Sequence, residues 1–192
     1  MSDVWSNWSG WVKAWPKAII EPVNEEELAT AMRSAQAPVR VAGSGHSFTA
    51  LVESSGTIIS LNKMSGLIDH DSDKHTARIK AGTTIRDLGP MLFDRGMGLA
   101  NQGDIDRQAI AGAVGTGTHG TGVNLGSISA AVTGFRLVTA AGEGMNASAT
   151  ENPDLFNAGR VSMGSLGVMS EITMQALPAY ALEETGGRMP VE

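Results

Sequence analysis

The sequence predicts an α+β domain built from two lobes. Short aliphatic runs alternate with segments of helical periodicity, nine of the 24 glycines fall between residues 96 and 126, and 42 % of the 192 residues are apolar. That apolar fraction is ordinary for a globular chain and excludes general disorder. We expect the first lobe to span residues 18–75 and the second lobe to span residues 76–180.

The first lobe begins with a β-α-β pattern. A strand is expected at residues 18–20, and Asn24 is a suitable N-cap for a helix whose first turn holds three glutamates. Apolar residues at helical spacing continue until Pro38. Two further strands are expected at residues 39–42 and 57–61, so the connection between the first two strands is helical.

The second lobe combines strands with two helices. The predicted elements are a strand at residues 76–81, a helix at 85–95, a hairpin of 132–140 and 145–149 with Gly142 in its turn, a helix at 152–160 and a strand at 168–177. The acidic stretch at residues 68–74 is predicted to be a connection, with His70 and His75 exposed to solvent.

The two ends of the chain lie outside these lobes. Residues 1–17 are expected to pack against the domain through aromatic area. This segment contains four tryptophans, Trp5, Trp8, Trp11 and Trp15. Residues 181–192 lack apolar periodicity, which is typical of a natural end, an artificial boundary or a linker towards another domain.

Composition excludes several classes of function. A net charge of −6 gives no support for a nucleic-acid partner, and no apolar run reaches the roughly 18 residues of a membrane span. The absence of cysteine excludes disulfides and thiolate chemistry. The first residues lack the basic start and apolar core of a signal peptide, so we expect a cytoplasmic protein.

A glycine turn after the second predicted strand is the clearest functional signal. Residues 39–48 read Val-Arg-Val-Ala-Gly-Ser-Gly-His-Ser-Phe, so a β-branched run leads into a turn with Gly43 and Gly45. Glycines allow positive φ and close backbone approach, and successive N–H groups can form a concave site for phosphate oxygens. His46 then lies at the edge of the bound group. The pattern indicates a nucleotide with a reactive side chain beside it.

A second glycine cluster matches the dinucleotide fingerprint by letter alone. Residues 115–120 read Gly-Thr-Gly-Thr-His-Gly, but G-x-G-x-x-G is informative only between a strand and a helix. Residues 109–114 favour a helical turn, and residues 121–126 contain too much glycine to begin a stable helix. We therefore predict no Rossmann domain. The cluster is either a tight connection between packed elements or, as we favour, part of a site that spans both glycine loops.

The histidines in the loops suggest neither a metal site nor a hydrolase. His46 and His119 have no nearby carboxylate set to complete a metal coordination sphere, so we expect no metal. The chain also lacks the G-x-S-x-G nucleophile turn of serine hydrolases.

Five motifs resemble the FAD-binding (PCMH-type) domain of the vanillyl-alcohol oxidase flavoprotein family. Within that family the chain is most similar to sugar-1,4-lactone oxidases, which act on gulonolactone or arabinonolactone, and to alditol oxidases such as xylitol oxidase. The motifs are Trp8-Ser9-Gly10, residues 39–48, residues 102–108, Ala111-Gly112-Ala113 with residues 115–122, and Gly164-Ser165-Leu166-Gly167-Val168. They follow the family order over nearly the whole chain.

The resemblance implies a two-lobed FAD domain and a set of contacts to the cofactor. His46 takes the family role of covalent attachment to the flavin 8α carbon, and residues 42–47 hold the pyrophosphate. The implied cofactor-binding residues are Val41, Ala42, Gly43, Ser44, Gly45, His46, Ser47, Phe48, Gly103, Asp104, Ala109, Gly112, Thr116, Gly117, Thr118, His119, Gly120, Gly167 and Val168.

The implied reaction is oxidation of a CH–OH group of a sugar alcohol or sugar lactone, with hydride transfer to the flavin and reduction of dioxygen to hydrogen peroxide. Family members carry a further cap domain that binds the substrate, and no residues here match it. We therefore expect these 192 residues alone to be inactive, and an uncapped apolar face to favour self-association. Two alternatives stay open: a non-catalytic FAD-binding module that needs a partner chain, and a flavoprotein similar to UDP-sugar reductases.

Overall fold

A computed structural model describes residues 4–187 of the chain. The first three residues and residues 188–192, which include the end of the predicted C-terminal tail, lie outside the described range. In chain order the elements are β1 (Trp5–Ser6), β2 (Lys13–Ala14), β3 (Ala18–Ile20), α1 (Glu25–Ser34), β4 (Val39–Ala42), β5 (Thr57–Ser60), β6 (Leu67–Asp71), β7 (Thr76–Lys80), α2 (Ile85–Phe93), β8 (Met97–Gly98), α3 (Ile110–Gly115), β9 (Val132–Val138), β10 (Gly144–Ser148), α4 (Pro153–Gly159), β11 (Val168–Gln175) and β12 (Leu177–Pro178), with a 3₁₀ helix at Ile128–Ala131 before β9.

The first sheet is parallel and has the strand order β3-β5-β4. All four residues of the central strand β5 are buried, as expected for a strand covered on both faces. Asn24 caps α1 as predicted, because its side chain accepts a hydrogen bond from Glu27 N at 2.9 Å. The helix buries Leu28 and Ala31, and the glycine turn at residues 43–48 begins where β4 ends.

The second sheet is antiparallel, with the strand order β10-β9-β11-β7-β6. Its central strands supply the most buried side chains of the core, including Ile79, Leu137 and Ile172, each at most 1 % exposed. The predicted hairpin is confirmed as β9 and β10, with Gly142 at φ +75° in the turn. Positive φ favours glycine at this position because it has no Cβ to clash.

The larger of two hydrophobic clusters within residues 4–187 runs through both sheets. Leu28 from α1 and Ile59 from β5 belong to the same buried cluster as Ile79 and Ile172 of the second sheet. An ion pair adds a polar link, since Arg136 on β9 donates from Nε and Nη2 to the Glu25 carboxylate at 2.7–2.8 Å. The helix α1 is therefore held against both sheets.

The stretch predicted as an acidic connection contains strand β6, so that prediction is wrong. Residues 67–71 pair with β7 at the sheet edge, and the following turn is fixed by Asp71 Oδ1, which accepts from Lys74 N at 2.9 Å. Charged side chains are a common feature of edge strands, because they discourage pairing with another chain. His70 is exposed, whereas His75 is partly buried with φ +51°.

The tryptophan segment forms the hairpin β1–β2. The expectation that it packs through aromatic area is wrong for Trp11 and Trp15, which are 85 % and 62 % exposed. It is confirmed for Trp5, which packs against a small buried cluster, and for Trp8, which is 53 % exposed but contacts the rings of His46 and Phe48. The hairpin is held mainly by Asn7, which is 3 % exposed and accepts from Val12 N through Oδ1 at 3.1 Å. None of the helices between residues 4 and 187 has the length and apolarity that crossing a bilayer requires.

Candidate functional site

Loop 1, residues 43–48, leaves β4 and contacts the beginning of α3. A Cβ placed on Gly43 would lie 3.0 Å from the Cβ of Ala109, so the two backbones approach closely at a point where a side chain would be crowded. Gly45 has φ +66°, in the left-handed region that favours glycine. The glycines predicted to shape a turn after the second strand are therefore required by its geometry.

Loop 2, residues 116–122, follows α3. Its backbone is folded onto that helix, because Thr118 N donates to Ala113 O at 2.9 Å and Gly117 adopts φ +68°. Within residues 4–187 the G-x-G-x-x-G letters thus run from the end of a short helix into irregular chain, and no strand precedes them directly. The prediction that this segment is not a Rossmann fingerprint is confirmed.

Hydroxyl and amide groups are exposed along loop 2. Thr116 Oγ1 donates to Gly112 O at 2.8 Å, and Gln108 Nε2 donates to Thr118 Oγ1 at 3.1 Å. The segment around Gly103 lies against the same loop, since a Cβ on Gly103 would be 3.2 Å from Thr118 Cγ2. The segment around Gly103 and loop 2 therefore lie side by side.

Loop 3, residues 161–167, completes the cluster. Met163 N donates to Gly115 O at 3.0 Å, which joins loop 3 to the end of α3. A Cβ on Gly164 would lie 3.9 Å from Val41 Cγ2, in ordinary contact with the strand before loop 1. The three loops that are far apart in sequence thus meet on one side of the molecule.

Gly112 leaves open space beside the backbone of α3. It lies inside α3, where glycine costs about 0.5–1 kcal/mol relative to alanine. A Cβ at this position would meet no protein atom within 4 Å, so packing does not explain the glycine. A flat cofactor lying against this face of α3 would explain it, because only glycine lets the ligand contact the helix backbone.

Some of the predicted binding residues lie beneath this surface. Ala42, Ala109 and Val168 are only 1–2 % exposed, so they support the loops and offer almost no surface to a ligand. Gly167 has a packing reason, because a Cβ there would be 2.6 Å from Val138 O. The predicted residues that do carry accessible surface are Val41, Gly43, Ser44, Gly45, His46, Ser47, Phe48, Gly103, Asp104, Gly112, Thr116, Gly117, Thr118, His119, Gly120 and Gly167.

The two loop histidines have different surroundings. His46 is partly buried and its ring stacks on Trp8, with 5.4 Å between centroids and 14° between planes. In the described part of the chain, neither of its ring nitrogens has a hydrogen-bond partner. His119 is exposed, and its Nδ1 is 2.8 Å from Gly120 O. Of the two, only His46 has its ring held while both nitrogens stay available for reaction.

Sequence reasoning missed the residues that contact these loops from outside them. Trp8 belongs to a quoted motif, but nothing in its local sequence indicates contact with His46. Gln108 likewise lies in a quoted motif without a predicted role, and its bond to Thr118 depends on how the chain folds back. One surface cavity of about 570 Å³ lies beside α1, and another of about 270 Å³ lies between residues 99–101, 124–131 and 174–177. Both are lined by residues outside the predicted site.

Comparisons with known proteins find relatives that match most of this chain. L-gulono-1,4-lactone dehydrogenase of Mycobacterium tuberculosis is 42 % identical over 185 residues, which are 95 % of this chain and 42 % of that protein. L-gulonolactone oxidase of Bos taurus is 32 % identical over 182 residues, or 93 % of this chain and 41 % of that protein. D-arabinono-1,4-lactone oxidase of Yarrowia lipolytica is 32 % identical, with 93 % of this chain and 35 % of that protein covered. The chain thus spans less than half the length of these relatives.

The fold and the domain family are also matched. The crystal structure of 6-hydroxy-D-nicotine oxidase from Arthrobacter nicotinovorans superimposes with a TM-score of 0.80 at 24 % identity, covering 92 % of this chain and 39 % of that one. At this identity the match establishes the fold, which is the predicted two-lobed α+β class. The family described as "FAD binding domain" matches residues 16–148. The chain therefore belongs to the FAD binding domain family.

Proposed function

We propose that this chain binds FAD across loops 1, 2 and 3 and serves an enzyme that oxidises a CH–OH group of a sugar lactone or sugar alcohol. The lactone substrates in the names of the relatives support the substrate class. The open face of α3 at Gly112 is the observation in this chain that supports the cofactor. When bound, FAD supplies the two-electron chemistry, while the protein holds and orients it.

The residues of the loops divide the task of holding the cofactor. The backbone N–H groups of residues 43–47 are proposed to bind phosphate oxygens, because successive N–H groups in a turn of this kind can form an anion site. The hydroxyl group of Thr118 offers a donor, and the hydroxyl oxygens of Thr116 and Thr118 offer acceptors, to a polar chain along loop 2. Gly112 and Gly117 keep side chains out of the way of a flat ring system. These assignments use the residues of the predicted site. The boundary between the two lobes of the chain at residue 75 stays a prediction.

We further propose that His46 attaches the flavin covalently. A ring nitrogen of His46 would bond to the 8α carbon; the electron pair of the broken C–H bond would reduce the flavin by two electrons, and the protons from that carbon and from the imidazole N–H would balance the added charge, so no outside oxidant is needed for the bond itself. The available nitrogens of His46 support this role, and the hydrogen-bonded position of His119 makes it the matched control.

The covalent bond is tested on denatured protein. We expect yellow fluorescence to migrate with the polypeptide on a denaturing gel, to disappear in His46→Ala and to persist in His119→Ala. His46→Ala should keep bound, extractable FAD, because the backbone of loop 1 is unchanged. Flavin that leaves the wild-type chain completely on denaturation would contradict the covalent role and leave the FAD proposal standing.

The electron acceptor has two candidates. We propose dioxygen, with hydrogen peroxide as product, in keeping with the relatives named as oxidases. The relative with 42 % identity is named a dehydrogenase, which favours an acceptor other than dioxygen. Turnover of L-gulono-1,4-lactone and of xylitol by the protein at its natural length, followed by oxygen consumption and by reduction of a dye in nitrogen, distinguishes the two. A rate of oxygen consumption equal to the rate of dye reduction in nitrogen supports dioxygen as the acceptor.

A further inference from the structure

The hairpin β1–β2 holds the backbone on both sides of His46. Trp8 N donates to Gly45 O at 3.1 Å, and Asn7 Nδ2 donates to Ser47 O at 3.0 Å. The same amide is fixed in orientation, because Asn7 Oδ1 accepts from Val12 N at 3.1 Å. The residues immediately before and after His46 are thus each tied to the N-terminal hairpin.

The side chain of Trp8 also contacts the His46 ring itself. The two ring planes differ by 14°, with centroids 5.4 Å apart, which is the offset-stacked arrangement that aromatic pairs favour. Phe48 packs edge-on against Trp8 at 5.6 Å and 78°, so the indole is contacted by rings from the same loop. The Trp8 side chain is nevertheless 53 % exposed, and burial in the core does not account for its position.

We propose that Trp8 is a positioning residue that sets the plane of the His46 imidazole for flavin attachment. The inference rests on the proposed role of His46. The reacting lone pair of an imidazole nitrogen lies in the plane of the ring, so rotation of the ring turns it away from the carbon it must reach. A hydrogen bond to a nitrogen would fix the ring but occupy the reacting atom. Stacking fixes the plane and leaves both nitrogens available.

The test measures covalent attachment separately from FAD binding. Apoprotein of natural length is mixed with saturating FAD, and covalent flavin is followed over time in acid-precipitated samples, with total bound FAD and Tm measured in parallel. Loss of a stacked pair predicts attachment about two- to tenfold slower in Trp8→Leu, with total FAD unchanged. Trp8→Phe keeps a ring and should recover most of the rate. Trp11→Leu is the matched control, because Trp11 lies in the same hairpin and is 85 % exposed.

The outcomes separate the two proposals. Attachment at the wild-type rate in Trp8→Leu would overturn the role of Trp8 while the role of His46 stands. Wild-type protein that never forms covalent flavin would overturn both. If Trp8→Leu also lowers Tm, Trp8→Phe decides: recovery of the rate supports positioning by the ring, and attachment as slow as in the leucine variant at a normal Tm overturns it.

Discussion

At the scale of single residues, a glycine required by packing differs from one that leaves open space. Gly82 and Gly167 are required by packing. A Cβ on Gly82 would lie 1.9 Å from Leu61 O, and a Cβ on Gly167 would lie 2.6 Å from Val138 O. Gly112 has no such neighbour. The first kind stabilises the fold, whereas the second leaves space that a ligand can use. Glycine content by itself therefore does not locate a binding site, and the contacts of each glycine are needed.

Substitution of Gly112 by alanine tests this distinction. Without ligand, Gly112→Ala should stabilise the protein by about 0.5–1 kcal/mol, or roughly 1–4 °C in Tm, because alanine favours the helix. FAD binding should weaken, since the added methyl group occupies the ligand side of α3. Calorimetry and an FAD titration check both effects. Unchanged FAD affinity in the more stable variant would show that the cofactor does not lie on this face.

At the scale of elements, the ion pair between α1 and β9 fixes the helix over the second sheet. The hydrogen bond from Arg136 is the strongest effect on the pKa of Glu25 and lowers it below its ordinary value of 4.5. Partial burial opposes this shift, and the Ser170 hydroxyl at 2.8 Å adds to it. The same pairing raises the pKa of Arg136. Contacts between α1 and the sheet thus depend on the charge of Glu25.

A pH series on Glu25→Gln tests that contact. A carboxyl whose pKa is lower in the folded protein stabilises it above the unfolded pKa and loses this effect as pH falls through the folded pKa. We expect Glu25→Gln to lose about 1–2 kcal/mol of unfolding free energy near neutral pH. The difference from wild type should shrink as pH falls below 4.5, where the carboxyl of the unfolded chain takes up a proton, and should disappear as pH falls through the lower pKa of the folded protein. Urea titrations at several pH values measure it, and a constant difference down to pH 2 would contradict the assignment.

At the scale of the whole molecule, one core joins the two sheets and the site lies on loops that leave both of them. Leu28 and Ile59 pack in the same cluster as Ile172, so the sheet bearing loop 1 and the sheet bearing loop 3 are held together. Loops that bind one ligand from separate elements need such a rigid support. The chain matches 42 % of the length of its Mycobacterium tuberculosis relative, and whole-enzyme activity remains a proposal.

Residues 1–192 expressed alone test which functions reside in this part. We expect them to bind FAD and to show a Tm that rises with FAD concentration, because a ligand that binds only the folded state stabilises it. We expect no oxidation of L-gulono-1,4-lactone, since substrate binding is predicted to need a cap domain. Thermal unfolding with added FAD and a peroxide assay are the measurements. Peroxide production that depends on the lactone would contradict the second expectation.

Local sequence was sufficient for elements whose signals lie within a few residues. The N-cap Asn24, the turn at Gly142 and the strand of residues 39–42 are confirmed, because capping, positive φ and β-branched runs act over short distances. Strand β6 was missed, since its acidic residues resemble a loop and only pairing with β7 makes it a strand. Edge strands take their identity from a neighbour that sequence spacing does not indicate.

By itself the sequence determined the fold class, the glycine loops and the family to which their motifs belong. Only the tertiary structure showed that Ala42, Ala109 and Val168 lie beneath the site, and that Trp8 stacks on His46. The physical reason is that conformational preferences are local, whereas burial and ring contacts depend on chain segments brought together by the core. Motifs therefore identified which loops matter, and packing decided which of their atoms can meet a ligand.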